Sequence, residues 1–137
     1  MSTAAQQPPT DLEIKDEYAE AINNLSGLCY GLSAASGWWT DLKTGEPLER
    51  NKGEMLMLMV TEVAEAMEGV RKGLQDDKLP HRLMEEVELG DAMIRIFDYC
   101  GGFGFDLGGA MIEKMKYNQT RADHKLENRV KDGGKKC

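Results

Sequence analysis

A chain of 137 residues with a formal net charge of −7 is long enough for one domain that buries about two-thirds of its unfolded surface. Its acidity argues against nonspecific nucleic-acid binding as the main task, and no apolar run reaches the ~20 residues of a membrane span. No signal peptide is legible at the start, and Cys29, Cys100 and Cys137 stand at no metal-like spacing, which fits a reducing cytoplasm.

Met1 to about Thr10 is small, polar and Pro-containing, the composition of a disordered lead-in. Asp11 is suited to cap a helix reaching to about Ala35, with Leu12, Tyr18, Ile22, Leu25, Cys29 and Leu32 at mostly helical spacing. That helix is weak in apolar bulk, so packing against another subunit is expected. Residues 36–47 read as a loop from their Gly, Pro and Thr content, and they carry both tryptophans, Trp38 and Trp39. A loop tryptophan commonly plugs a core. Two adjacent ones argue that at least one is a stacking platform, worth roughly 1–3 kcal/mol per nucleobase.

Periodicity predicts the next helix over about Gly53–Lys72. Met55, Met59, Val63, Ala66 and Val70 fill one apolar arc of roughly 80°. Glu62 falls within about 20° of the edge of that arc, a position where an unpaired charge is costly. Glu65 sits at its flank, and Glu68 points away. Arg71 and Lys72 end the helix, where cations suit its dipole, and Gly73 follows as a C-cap candidate. Residues 75–80 form a polar connector, with Pro80 suited to the first turn of the next helix and His81 read as surface.

The following helix, about Arg82–Cys100, is apolar on two sides: Leu83, Val87, Ile94 and Phe97 on one, Leu89, Ala92, Ile96 and Cys100 on the other. Between them runs a polar stripe of Glu88, Asp91, Arg95 and Asp98, which must face something polar inside the protein. The pairs Glu62/Glu65 and Glu88/Asp91 each have i, i+3 spacing, so each lies on one helix face. Two readings stay open. One is an internal ion network in which Arg95 pairs with Asp91, four residues earlier. The other is a carboxylate-only metal site, whose oxygen ligands select Mg²⁺ or Mn²⁺ over zinc. The absence of any Glu-x-x-His argues against a di-iron bundle, and no EF-hand loop is present.

Gly101-Gly102-Phe103-Gly104 is expected to break this helix. Asp106 then caps a last helix to about Thr120, on which Lys114, Asn118 and Arg121 recur on one face. Beside a metal–carboxylate site such a face reads as a triphosphate cradle; alone it is a solvated basic edge. Beyond Arg121 the chain turns polar and charged, the composition of a flexible tail.

The segments E-V-A-E-A-M-E-G-V-R-K-G, E-E-V-E-L-G-D-A-M-I-R-I-F-D-Y-C-G and E-K-M-K-Y-N-Q-T-R together resemble the MazG-like all-α nucleoside triphosphate pyrophosphohydrolases. The resemblance covers about Arg50 to Arg121, and the compact form looks like the phage-encoded and small bacterial members. It implies an all-α bundle of four to five helices completed by oligomerisation, as a dimer or tetramer. The domain then spans residues 11–122, with 1–10 as lead-in and 123–137 as tail. The implied reaction splits (d)NTP to (d)NMP and pyrophosphate, with a lean toward dGTP or dCTP, in the cytoplasm (the host's, if the chain is phage-encoded). The alternative is a regulatory protein of the same fold that binds a nucleotide or alarmone without turnover. By resemblance, Glu62, Glu65, Glu88 and Asp91 match the Mg²⁺ ligands, and Lys114 and Asn118 match phosphate- or sugar-contacting residues. Trp39, or Trp38 in its place, lies where relatives set an aromatic against the base.

Chemically, two or more metals at such a site hold phosphate oxygens and stabilise the leaving pyrophosphate. Glu65, with Glu62, is the candidate to share the proton of the attacking water. Further cations available for phosphate are Arg121, Lys52, Arg71 and Lys72. Neither a membrane nor a nucleic acid is an expected partner. The chain departs from close relatives after N-Q-T-R: Ala122, Asp123, His124 and Lys125 stand where those usually carry Pro, Tyr, Arg and His.

Overall fold

The computed structural model describes residues 4–7 and 12–137. Within the described residues the secondary structure is helical: α1 (Glu17–Ala35), α2 (Lys52–Lys72), α3 (Met84–Gly102), α4 (Leu107–Thr120), a 3-10 turn over Ala122–His124, and the one-turn helix α5 (Leu126–Arg129). Two isolated bridges, Thr40 with Pro47 and Gln75 with Leu83, are the sole β-type pairings among those residues. The expected all-α class is therefore observed. No helix of the described residues is long and apolar enough to cross a membrane.

The chain divides into two compact units. One holds Met1–Gln6 and Asn24–Phe105; the other holds Gln7–Asn23 and Asp106–Cys137. The expected cap at Asp11, and most of the expected lead-in, lie outside the described residues. The first helix begins at Glu17, later than the pattern suggested. Leu12, counted on its apolar face, precedes the helix and is 74% exposed.

The first unit is built on α2 and α3, which lie antiparallel. Glu62 meets Arg95 near the middle, and Gly69 meets Met84 at the connector end. The α2 face turned to α3 is Met55, Met59, Glu62, Ala66 and Gly69, of which Met55, Ala66 and Gly69 are buried. A side chain at Gly69 would begin 2.9 Å from Met84 Cβ, so α2 presents its smallest residue where the start of α3 comes close. This corrects the expected arc: Val63 and Val70 are more than half exposed. They belong instead to a second stripe, Leu56, Val60, Val63, Met67 and Val70, left open to solvent. The buried apolar set of the unit is small: Met55, Ala66, Ala92, Phe97, Tyr99 and Cys100.

α2 opens with Asn51, whose side chain accepts from Glu54 N, and closes at Gly73 in the left-handed region, φ 62°, as a C-cap glycine should. α3 ends within the Gly101-Gly102-Phe103-Gly104 stretch, as expected, with Gly101 and Gly102 forming its last residues. They serve close approach rather than flexibility. A Cβ on Gly101 would begin 2.6 Å from Tyr30 Cβ, and one on Gly102 would overlap the Trp39 ring. The chain turns only at Gly104, φ 71°.

In the second unit, Asp106 caps α4 by accepting from Gly109 N. Asn23 binds the same helix start, donating to Asp106 Oδ1 and accepting from Gly108 N. Gly108 lies against the Ala19 backbone so closely that a Cβ would overlap it. The polar tail carries structure that composition did not suggest. Arg129 closes it back on itself by donating to the carbonyls of Lys135 and Lys136.

Candidate active site

The antiparallel register of α2 and α3 carries three of the four singled-out carboxylates into one cluster. Glu62, Glu65 and Glu88 each place a carboxylate oxygen within 4.8 Å of the others. Asp91 falls outside that set, one turn along α3 from Glu88, yet it lies within the field of Glu62 and Glu65. Glu62 and Glu88 are half-buried and Glu65 is exposed, so the cluster opens outward on the Glu65 side.

The electrostatics follow from burial and like charge. Removal from water, then the adjoining Glu62 and Glu65 carboxylates, push Glu88 from an ordinary 4.5 up to about 7. Burial raises Asp91 as well, followed by the charges of Glu62 and Asp76, with Arg95 opposing. Among the described residues, the cation placed directly on the cluster is Arg95, whose Nε donates to Glu62 Oε1 at 2.7 Å. The ion-network reading offered Arg95 to Asp91; its hydrogen bond goes instead across to Glu62, while its charge still acts on Asp91.

A pH dependence follows. Glu88 holds its proton in the fold up to about pH 7 but releases it near 4.5 when unfolded. Unfolding therefore releases a proton between those values, and stability falls as pH rises through that window. The cation-free protein is expected to melt at a lower temperature at pH 8 than at pH 5, with the difference reduced in Glu88→Gln. Thermal melts in a chelator at the two pH values check this; equal slopes in both proteins would remove Glu88 as the cause.

A fifth carboxylate escaped the sequence reading. Asp76, in the polar connector, is 5% exposed. Its Oδ2 accepts from Lys78 N and Leu79 N, and its N–H binds Arg82 O, so it folds the connector while adding charge near Asp91. The legible signal was an Asp at the head of a short turn, where Asx geometry is favoured.

Beside the cluster lies a cleft of about 890 Å³ whose wall includes Glu62, Asp91, Arg95, Trp38, Leu28, Leu32 and Ile94. The two tryptophans divide their roles here. Trp38 is 66% exposed and lines the cleft. Trp39 is consumed by packing: its ring meets Tyr30 and Phe103 edge-on at 5.4 Å each, Arg50 covers it at 5.2 Å, and its Nε1 donates to Asp98 Oδ1 at 2.8 Å. Ser33 donates to the other oxygen of Asp98, so that member of the polar stripe braces the loop. Arg50 also donates to Trp38 O at 2.7 Å, fixing the backbone under the exposed ring.

The remaining cations are placed as follows. Lys52 sits over the Phe103 and Phe105 rings at 4.4 and 5.2 Å. Arg71 and Lys72 both pair with Glu68, at 3.0 and 2.6 Å. Lys114, Asn118 and Arg121 belong to the second unit. There Lys114 lies over Tyr117 at 5.0 Å, and Asn118 Oδ1 is shielded from solvent with no hydrogen-bond partner. Arg121 stands just past the end of α4, with extended backbone, and forks onto Asp123 through Nε and Nη2. It therefore leaves the helical face on which spacing had put it.

The donor set suits a hard divalent cation. It is made of oxygen only, drawn from two rigid helices, with more carboxylates than the single guanidinium neutralises. Comparison of the chain with protein-family models, curated proteins and solved structures found no match in any of them.

Proposed function

We propose that the first unit is the catalytic body of a metal-dependent nucleoside triphosphate pyrophosphohydrolase of the MazG-like kind. The observation that carries this reading is the adjacency of the Glu62–Glu65–Glu88 cluster to a cleft with an exposed tryptophan in its wall. Glu62, Glu65, Glu88 and Asp91 would hold Mg²⁺ or Mn²⁺. When bound there, such a cation would neutralise phosphate charge and lower the pKa of a nearby water. Glu65, the exposed member, accepts that water's proton. Trp38 stacks on the base, and the apolar cleft wall beside it excludes water. Attack at the α-phosphorus breaks the bond to the α,β-bridging oxygen, which leaves with pyrophosphate.

The test is a panel of the eight canonical NTPs and dNTPs with Mg²⁺ or Mn²⁺, reading pyrophosphate and nucleoside monophosphate together. Equimolar release from at least one substrate is expected, with deoxynucleotides leading. Tight nucleotide binding with no release from any would move the assignment to a non-catalytic regulatory protein.

Self-association belongs to the same reading. The open stripe Leu56, Val60, Val63, Met67, Val70 repeats at four- and three-residue steps, the spacing of a helix–helix seam. No large side chain of the described residues is fully buried, so a second copy on this stripe would supply the missing layer. Light scattering is expected to report a dimer or tetramer; a fully active monomer at micromolar concentration rules this out.

The resemblance gives Lys114 and Asn118 to the phosphates or sugar. Lys114→Ala is then expected to lower kcat/KM by about tenfold or more, the loss of one charge-assisted hydrogen bond. Asn118→Ala should cost roughly 0.5–1.5 kcal/mol, and Lys135→Ala in the tail should be silent. If Lys114→Ala and Lys135→Ala agree within about twofold (~0.4 kcal/mol), the face is solvated surface.

A further inference from the structure

Arg95 has two environments within reach. Its Nε is bound to Glu62 Oε1 at 2.7 Å, and the residue also forms part of the wall of the cleft that contains Trp38. Glu62 has 12% of its side chain exposed, whereas the Arg95 side chain is 42% exposed on the cleft side. Glu62 carries a single negative charge, so a divalent cation drawn to its carboxylate competes with the guanidinium on Oε1 and weakens that pair.

We infer that Arg95 is an exchange residue. It occupies Glu62 while the carboxylate cluster is cation-free, and it moves to the triphosphate once Glu62 ligates a metal. The inference rests on the metal-dependent reading above. Its physical content is that one positive charge is never lost from the site. In the cation-free protein Arg95 offsets the repulsion among Glu62, Glu65 and Glu88. In the loaded protein the freed guanidinium faces the cleft, where its planar fork suits phosphate oxygens. Arg95 thereby opposes metal binding in the absence of nucleotide and supports nucleotide binding in the presence of metal. A residue with a purely structural role would not act in opposite directions on the two ligands.

The experiment measures both affinities by titration calorimetry, with no turnover required. The first titrant is Mn²⁺ alone. The second is an α,β-imido deoxynucleoside triphosphate, which cannot be split, at saturating Mn²⁺. For Arg95→Ala, Mn²⁺ alone is expected to bind about tenfold tighter and the imido nucleotide about tenfold weaker, the size of one charge-assisted hydrogen bond in each case. Arg95→Lys keeps the charge without the fork, so it should restore most of the resistance to Mn²⁺ and only part of the nucleotide affinity. Circular dichroism confirms that each variant is folded, as the exposure of Arg95 leads one to expect. If wild type binds Mn²⁺ but Arg95→Ala shifts both affinities in the same direction, or neither, the exchange is overturned and the metal site stands. If wild type binds no Mn²⁺ at millimolar concentration, the metal reading falls and the exchange falls with it.

Discussion

Glu62→Gln and Asp91→Asn are each expected to abolish Mg²⁺-dependent pyrophosphate release while leaving the helical circular dichroism unchanged. Both substitutions keep the shape and one oxygen of the side chain and remove its charge. A cation bound by carboxylates loses most of its binding free energy when a charged ligand becomes a neutral amide, and a turnover that depends on it follows. A variant that retained more than about a tenth of the wild-type rate, a barrier change below ~1.4 kcal/mol, would not be a direct ligand. Stability should move the other way. Burial and neighbouring acids raise Asp91, so its anion is unfavourable in the cation-free fold. Asp91→Asn is then expected to melt higher than wild type in a chelator at pH 8 and to gain nothing from added Mg²⁺. Glu62→Gln is the less clean thermal probe, because Glu62 also anchors Arg95 at 2.7 Å. Loss of activity with a lower cation-free melting temperature in Asp91→Asn would instead mark Asp91 as part of a stabilising ion network.

The helical class and the carboxylate cluster were legible for one reason. A charged residue on a buried helix face is an anomaly that the 3.6-residue period exposes directly. Glu62 carried that signal, and Glu65 and Glu88 joined it through the same spacing. What the period could not decide was which of two apolar stripes on α2 is covered. Met55, Ala66 and Gly69 form the buried line, although Val63 and Val70 are more hydrophobic. Close helix approach favours small residues, and that preference is a property of the pair of helices rather than of either sequence. The glycine stretch after Cys100 does end α3, but its second role, as a packing surface for Tyr30 and Trp39, was hidden for the same reason. Arg95 was placed with Asp91 by intrahelical spacing, while its partner, Glu62, lies 33 positions away in the chain. Asp76 is buried by its own turn, which composition describes only as polar.

The two tryptophans, adjacent in sequence, are expected to respond to truncation in opposite ways. Trp38→Ala removes a ring that is 66% exposed and lines the cleft. Its melting temperature should stay near wild type, and binding of an α,β-imido nucleotide should weaken by roughly 1–3 kcal/mol, the worth of one base–aromatic stack. Trp39→Ala removes the ring that fills the space above Gly102 and leaves Asp98 Oδ1 without its indole donor. That combination of cavity and unpaired acceptor should cost about 3 kcal/mol, on the order of 10 °C in Tm. Any loss of nucleotide binding in Trp39→Ala then follows from disorder of the loop that carries Trp38. Trp39→Phe separates the two contributions, since it keeps most of the ring and loses only the Nε1–H. It should recover more than half of the stability while Ser33 still donates to Asp98. Calorimetric binding and thermal melts on the three variants decide the matter. If Trp38→Ala bound nucleotide as wild type does and Trp39→Ala kept its melting temperature but lost binding, the platform would be Trp39, and the cleft beside Trp38 would not be the nucleotide site.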